Sequence, residues 1–299
     1  STPKPSSAAS DVYKRQLYNQ QSQADAAQRI AKTPAGRPTG LAELDMPQVD
    51  GLVLLSPHPG QGKLLMSGLD PSVLDESDPM QSDPALDPFS PANGFDPQAG
   101  RAHYEPAFLD RYRAAQLERV KRIDQHARTL LADKQSARAR VKAGSQLAPD
   151  RMQAAFAPIF HVWRTDADPR AWDTSLDPSD RKIGSLWGKD PFVSNWGSVG
   201  FARVVTPESW LSTWSGLSSN ASLERTLPAT VQPTLLIEYT GDQCTFPADI
   251  AAIHEQIGSA DKTHLRVRGN HHGMALGKDE PAGRAVAARH LVEWLRARC

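Results

Sequence analysis

Cysteine is nearly missing. Cys244 and Cys299 are the two in 299 residues, too few for a disulfide framework. A reducing, cytoplasmic setting is the expectation. No sign of charge dominates either: Lys plus Arg and Asp plus Glu each total 34. Without a basic excess to neutralise phosphates, no nucleic-acid partner is expected. No apolar run approaches the roughly 18 residues of a membrane-spanning helix. No apolar signal-peptide core follows the N-terminus, so no membrane partner is expected. Apolar residues make up 39%, below the about 45–50% usual for globular domains, a range that also counts Gly. Prolines, in contrast, number 24. Strand-forming core is in short supply.

The first sixteen residues stand apart. Ser6 to Gln16 (SSAASDVYKRQ) has no apolar period and no helix caps. A disordered tail is the plainer alternative. The segment resembles the in-frame translation of a transposon adapter used to prepare DNA sequencing libraries, and Ser1-Thr2-Pro3 fits its upstream flank. Residues 1–16 are therefore set aside as non-native. Removing Lys4, Lys14, Arg15 and Asp11 turns 34 and 34 into 31 basic and 33 acidic residues. On this reading the chain from Leu17 is the C-terminal piece of a longer protein.

From Leu17 the pattern is one of strands separated by a long insertion. Leu17 to Lys32 is rich in Ala and Gln and reads as helix, ended by TPAGRP. Asp50 to Pro57 holds a short apolar run that reads as a buried parallel strand. Residues 70–106 are dense in Pro and Asp, and little regular structure is expected there. The acids do not follow a calcium-loop spacing. Residues 106–142 carry Leu109, Tyr112, Gln116, Val120, Ile123, Ala127 and Leu130 at helical spacing. Pro106 suits the first turn and Gly144 the end. The basic opposite face reads as solvated. A second helix is expected over 150–163, and another over 208–226. Six of seven Trp residues fall between Trp163 and Trp214, as core packing, as an aromatic lid over a pocket, or as both. From Pro233 the order is strand (234–239), helix (247–257), strand (264–268), helix (281–298), which implies parallel pairing with right-handed crossovers.

Ligands of open parallel sheets bind beyond the carboxyl ends of the strands. Two loops occupy that position. Thr240-Gly-Asp-Gln-Cys-Thr-Phe-Pro247 places Asp242, and Gly269-Asn-His-His-Gly273 places His271 and His272. An acid there holds an imidazole in one tautomer and stabilises its protonated form. The pair is a base with its orienter, lacking a nucleophile.

Pro233 to Leu295 resembles the C-terminal end of an α/β-hydrolase, whose triad runs nucleophile, acid, histidine. The TGDQ…FP turn matches the acid loop. The family's histidine typically lies three residues after a Gly, which selects His272 over His271. The resemblance implies a catalytic pair of Asp242 and His272, a small-molecule substrate and no cofactor. It covers most of the chain from Leu17. Residues 17–63 resemble the helix after the nucleophile and the next strand. Residues 64–226 read as a mainly helical, Trp-rich cap, and 227–299 as the second part of the core. The implied fold class is α/β, a partial hydrolase sheet of about three strands with a large cap insertion. One departure is decisive: no Gly-x-Ser-x-Gly occurs. GSLWG (184–188) and GSVG (197–200) lack the spacing and the strand-to-helix context. The nucleophile is expected upstream of Leu17.

Rival readings remain. Asp242 also suits a helix cap, His271 suits a hydrogen-bonding residue behind the base or an exposed position, and His58, on another strand-end loop, suits a pocket wall or, better, a turn. Cys244 near Asp242 suggests a thiol nucleophile, although a buried inert thiol fits the strand position better. His254, His264, His271, His272, Cys244 and Asp242 lie close in sequence but lack zinc spacing. Gly60-Gln-Gly-Lys63 fails the phosphate-loop pattern at both ends. Without a nucleophile the chain also suits a non-catalytic binding scaffold.

Overall fold

The computed structural model describes residues 12–298. Ser1 to Asp11 of the adapter-like segment, and Cys299, lie outside the described residues. The protein is mixed α/β, built on a three-stranded parallel sheet. Strands β1 (Leu52–Leu55), β2 (Thr234–Tyr239) and β3 (Lys262–Val267) lie in that order, with Leu52 opposite Thr234 and Thr234 opposite Lys262. All six β2 residues are buried, because β2 is central and covered on both faces. This accounts for its continuous apolar run. At the edge, Leu54 is buried while Leu55 is 38% exposed. The both-sided burial expected of β1 therefore holds for one face.

On one face Leu54 and Leu236 pack with Val12, Leu223, Leu227, Ile250, Ile253 and Ile257. These come from helix α1 (Val12–Gln23), the short turns at 223–229 and a helix over Pro247–Gln256. On the other face Leu235, Ile237 and Val267 meet Ala287 and Trp294 of the terminal helix, Gly283–Arg296. The α1 helix differs from its expected span. It includes Val12 to Gln16 and stops at Gln23 instead of Lys32. Arg29 turns the chain back, its guanidinium bonding the carbonyls of Gln21, Leu41 and Leu44, while Gln21 Oε1 accepts from Ile30 N.

Helix α2 (Gln61–Gly68) leads from the sheet into residues 69–226. Its glycines serve close backbone approach. A Cβ on Gly62 would lie 2.5 Å from the Ser215 carbonyl, and one on Gly60 2.7 Å from that of Ala221. Lys63 pairs with Glu224 at 2.6 Å. The GQGK stretch is thus a packing element.

The Pro/Asp-rich stretch forms short antiparallel pairs, Val73–Asp75 with Asp78–Ser82 and Phe95–Asp96 with Arg101–Ala102. Its acids close turns. Asp70, Asp75, Asp78, Asp83, Asp87 and Asp96 each accept from the backbone N–H two residues on, at 2.8–3.1 Å, as Asp side chains do in tight turns. Helix α3 (Pro106–Lys142) begins at Pro106 as expected and pairs with α4 (Ala148–Ala155). α4 stops short of Trp163 because Pro158 lacks an N–H and its predecessor resists helical geometry. The helix expected over 208–226 is interrupted. After a capped turn at Pro207–Ser209 and a π-turn at Trp210–Trp214, the Ser215 hydroxyl takes the N–H groups of Leu217 and Ser218, drawing them out of the helix. Trp172 and Trp210 are fully buried, whereas Trp187 is exposed. Trp163, Trp196 and Trp214 are half-buried, so the Trp-rich stretch is core in part.

We number the two helices of the C-terminal part α5 (Pro247–Gln256) and α6 (Gly283–Arg296).

Candidate active site

Asp242 and a histidine do meet at the strand ends, but the histidine is His271. Its Nδ1 lies 2.9 Å from Asp242 Oδ2 and 3.1 Å from Oδ1. His272 is exposed and takes no part in this pair. Its ring stands edge-on to His271, centroids 5.1 Å apart. The expectation of His272, drawn from a three-residue offset, is corrected by local turn chemistry. Asn270 Oδ1 accepts from both His272 N and Met274 N, and Gly273 N bonds Asn270 O at 2.7 Å. This turn directs the first histidine inward and the second outward. Gly273 makes it feasible: its φ is +67°, and a Cβ there would meet the Tyr239 hydroxyl at 2.6 Å.

The acid is held from several sides. Asp242 Oδ1 accepts from Cys244 N at 2.7 Å and Thr245 N at 3.1 Å. Gly241 N bonds Gly269 O at 2.9 Å, joining the acid loop to the histidine loop. A third strand contributes Ser56, which the sequence reading passed over. It sits at the end of β1, is buried, and has φ +45°. Its N–H bonds Ile237 O at 2.8 Å, and its hydroxyl donates to Asp242 Oδ2 at 2.5 Å, within the range of a strong charge-assisted bond. The available clue was a serine ending a parallel strand, before Pro57.

Ser56 Oγ is also 3.4 Å from His271 Nδ1. That is the wrong nitrogen for an attacking group. With Nδ1 donating to the acid, the imidazole accepts a proton at Nε2. Ser56 therefore orients Asp242, and the basic nitrogen is left for another group. Among the described residues, His271 Nε2 makes no hydrogen bond.

His58 follows Ser56 by two residues and is 3% exposed. Burial, with His271 next to it, pushes its imidazole down to about 4. Cys244 is buried, and burial together with Asp242 raises its thiol well above the usual range; the thiolate a nucleophile requires is disfavoured. His264 pairs with Glu238 at 3.1 Å, and the His254 ring lies against it. Both stand apart from the Asp242–His271 pair. Among the described residues no three His, Cys, Asp or Glu side chains converge as a metal site requires.

Residues 168–184 clamp the acid loop from the other side. Arg170 bonds Asp249 at 3.0 Å and its guanidinium lies 4.1 Å from the Phe246 ring centre. Asp177 accepts from Ala248 N, Asp180 N bonds Thr240 O, and Gln243 Nε2 donates to Gly184 O. Burial opposes the charge on Asp168, but Arg170 and Arg113 outweigh it and hold its carboxyl well below the usual range. A small cleft of about 50 Å³ opens here, lined among others by Asp166, Ser185, Trp187, Phe201, Cys244 and Phe246.

Neither a family model, nor a curated protein, nor a solved structure matches the chain.

Proposed function

We propose that Asp242 and His271 are the acid and base of an α/β-hydrolase that cleaves an ester or similar acyl bond of a small molecule. The serine is supplied by natural chain that precedes Leu17 in the source gene, in place of residues 1–16. It attacks the acyl carbon while His271 Nε2 takes its proton, and His271 then returns that proton to the leaving group; a water deprotonated by the same Nε2 next attacks the acyl-serine, releasing the carboxylic acid while the proton returns to the serine oxygen. Asp242 fixes the ring through Nδ1 and stabilises the imidazolium. Ser56 holds Asp242. One observation carries this reading. An acid and a histidine from the ends of two adjacent parallel strands are hydrogen-bonded through Nδ1, where parallel sheets place their ligands. The cap reading of residues 64–226 is supported by their clamp on the acid loop.

The test begins with the source gene upstream of the codon for Leu17. The expected result is a strand and Gly-x-Ser-x-Gly running straight into Leu17. The longer product should hydrolyse short acyl esters. His271→Ala should lower kcat by about 10³-fold or more, by analogy with loss of a triad member. His272→Ala should change it by less than about threefold. Activity that survives His271→Ala overturns the assignment. An Asp at the serine position redirects the chemistry to epoxides or halides. Native DNA encoding residues 1–16 behind a start codon replaces catalysis with a binding scaffold.

A further inference from the structure

Helix α4 is turned inside out. Asp150, Gln153 and Ala154 share the side that lies against α3 and are its half-buried residues. Asp150 there accepts from Arg140 Nε at 2.8 Å and from the Ser145 hydroxyl at 2.6 Å. Lys134 and Arg138 of α3 donate to the carbonyls of Phe156 and Ala154. The opposite side carries Ala148, Met152 and Ala155, with Phe156 at its edge. Met152 is 71% and Phe156 53% exposed, and no residue of α4 is buried. Leu147 before the helix and Ile159 after it are 67% and 63% exposed. Surface helices normally turn their apolar side to the core. Here polar contacts hold the helix in place, and the apolar side faces outward.

Charge narrows what can cover it. Residues 131–159 hold five basic side chains, Lys134, Arg138, Arg140, Lys142 and Arg151, against two acids, Asp133 and Asp150, a net +3 in a chain whose formal charge is zero. Lys142 and Arg151 are exposed, and their side chains make no hydrogen bond or ion pair among the described residues. Two copies of this hairpin would set like charges against each other. The face is also small. Eight helical residues span about 12 Å, far short of the roughly 800 Å² per partner of a stable protein interface. A bilayer surface asks for no matching contour. It takes exposed apolar side chains singly, and anionic lipids attract the neighbouring cations. The expectation of no membrane partner rests on spanning segments and signal peptides, which interfacial contact does not use.

We propose that the α3–α4 hairpin docks on a membrane surface bearing anionic lipid, with Met152 and Phe156 entering the headgroup layer and Lys142 and Arg151 meeting the anionic headgroups. The contact is independent of the hydrolase reading, since none of these residues belongs to the Asp242–His271 site.

The test is co-sedimentation of the full chain with vesicles of phosphatidylcholine, alone or with about 30% phosphatidylserine, at about 0.05 M and about 0.5 M salt. The expected result is saturable binding to the anionic vesicles at low salt, at least about fivefold weaker binding to phosphatidylcholine alone, and release at high salt. Met152→Ser combined with Phe156→Ser should weaken binding about tenfold. Lys142→Gln combined with Arg151→Gln should do the same. Val231→Ser, which removes an apolar side chain 72% exposed elsewhere, should change it by less than about twofold. All these positions are exposed, and an unchanged urea midpoint shows that each variant keeps its fold. Failure to bind anionic vesicles overturns the proposal, as does binding that the Met152 and Phe156 substitutions leave unchanged. Dimerisation in sedimentation velocity that those two substitutions abolish assigns the face to a second copy instead. Binding that disappears in the longer product, with its natural chain before Leu17, assigns the face to that chain.

Discussion

The sheet and residues 69–226 are held together in different ways. Around β2 the contacts are apolar: Leu235, Leu236 and Ile237 are buried between α5 on one side and α6 on the other. In the insertion, irregular backbone is organised by buried charged side chains. Arg164 pairs with Asp70 at 2.7 Å, with both side chains essentially inaccessible, and also bonds the hydroxyls of Ser72 and Ser82. Asn195 reaches the same Asp70 carboxyl. Arg119, fully buried, grips Glu76 and the carbonyls of Asp70 and Trp163. A chain with few strands leaves many backbone groups unpaired, and long forked side chains satisfy several at once. The sheet is specified by periodicity, whereas the insertion joins apolar clusters, around Val120 and Trp210 and around Phe89 and Trp172, with individual buried polar bonds.

The strongest way to break this contrast is to remove one partner of the buried pair. Arg164→Met leaves Asp70 charged and partly unpaired and should destabilise the protein by about 3–5 kcal/mol, measured by urea unfolding. Hydrogen exchange should accelerate first in residues 69–226 while β2 amides remain protected. Equal opening of β2 would show that the two regions are one cooperative unit.

Acid sharpens the contrast from the sheet side. The folded-state pKa of His58 is lowered from 6.5 to about 4, so between those values the unfolded chain binds the extra proton. The contribution of His58 is therefore full above about pH 6.5 and is lost as the pH drops towards 4, by up to about 3 kcal/mol at roughly 1.4 kcal/mol per unit. Comparing unfolding free energies of the protein and His58→Gln across this window should show a flatter profile for the variant. Parallel profiles would mean that His58 is not buried neutral.

A smaller effect tests a single polar bond in the insertion. Trp210 Nε1 donates to Asp124 Oδ1 at 2.8 Å within an otherwise apolar cluster. Trp210→Phe keeps an aromatic ring but leaves the acceptor unpaired, for a loss of about 1–3 kcal/mol. A loss below about 0.5 kcal/mol would assign this contact to packing alone.

Legibility follows periodicity, in the sheet and in the long helix of the insertion alike. TLLIEY announced β2 because a central parallel strand is apolar on both faces. Pro106 and the three-four spacing announced α3, whose start the structure reproduces. In the irregular stretches of the insertion the signals were single residues. The aspartates that close turns looked like a Pro/Asp-rich stretch with little regular structure, and Ser215, which ends the π-turn, is one serine among several. At the site, the acid and the histidine loop were readable from their places after strands. The choice between His271 and His272 was not, because it depends on Asn270 capturing two N–H groups. Ser56 was hidden for a similar reason, since its partner lies 186 residues away.

The clamp between residues 168–184 and the acid loop carries a mechanical consequence. Asp177, Asp180, Arg170 and the Gly184 carbonyl bond Ala248, Thr240, Asp249 and Gln243 in turn, on both sides of Asp242. Any outward swing of that segment strips these bonds from the loop that aims the carboxylate. Widening the cleft and keeping the Asp242–His271 pair in register are opposed movements. A molecule that fits without displacing the segment meets an aligned pair, and one that must push it aside meets a pair it has itself loosened.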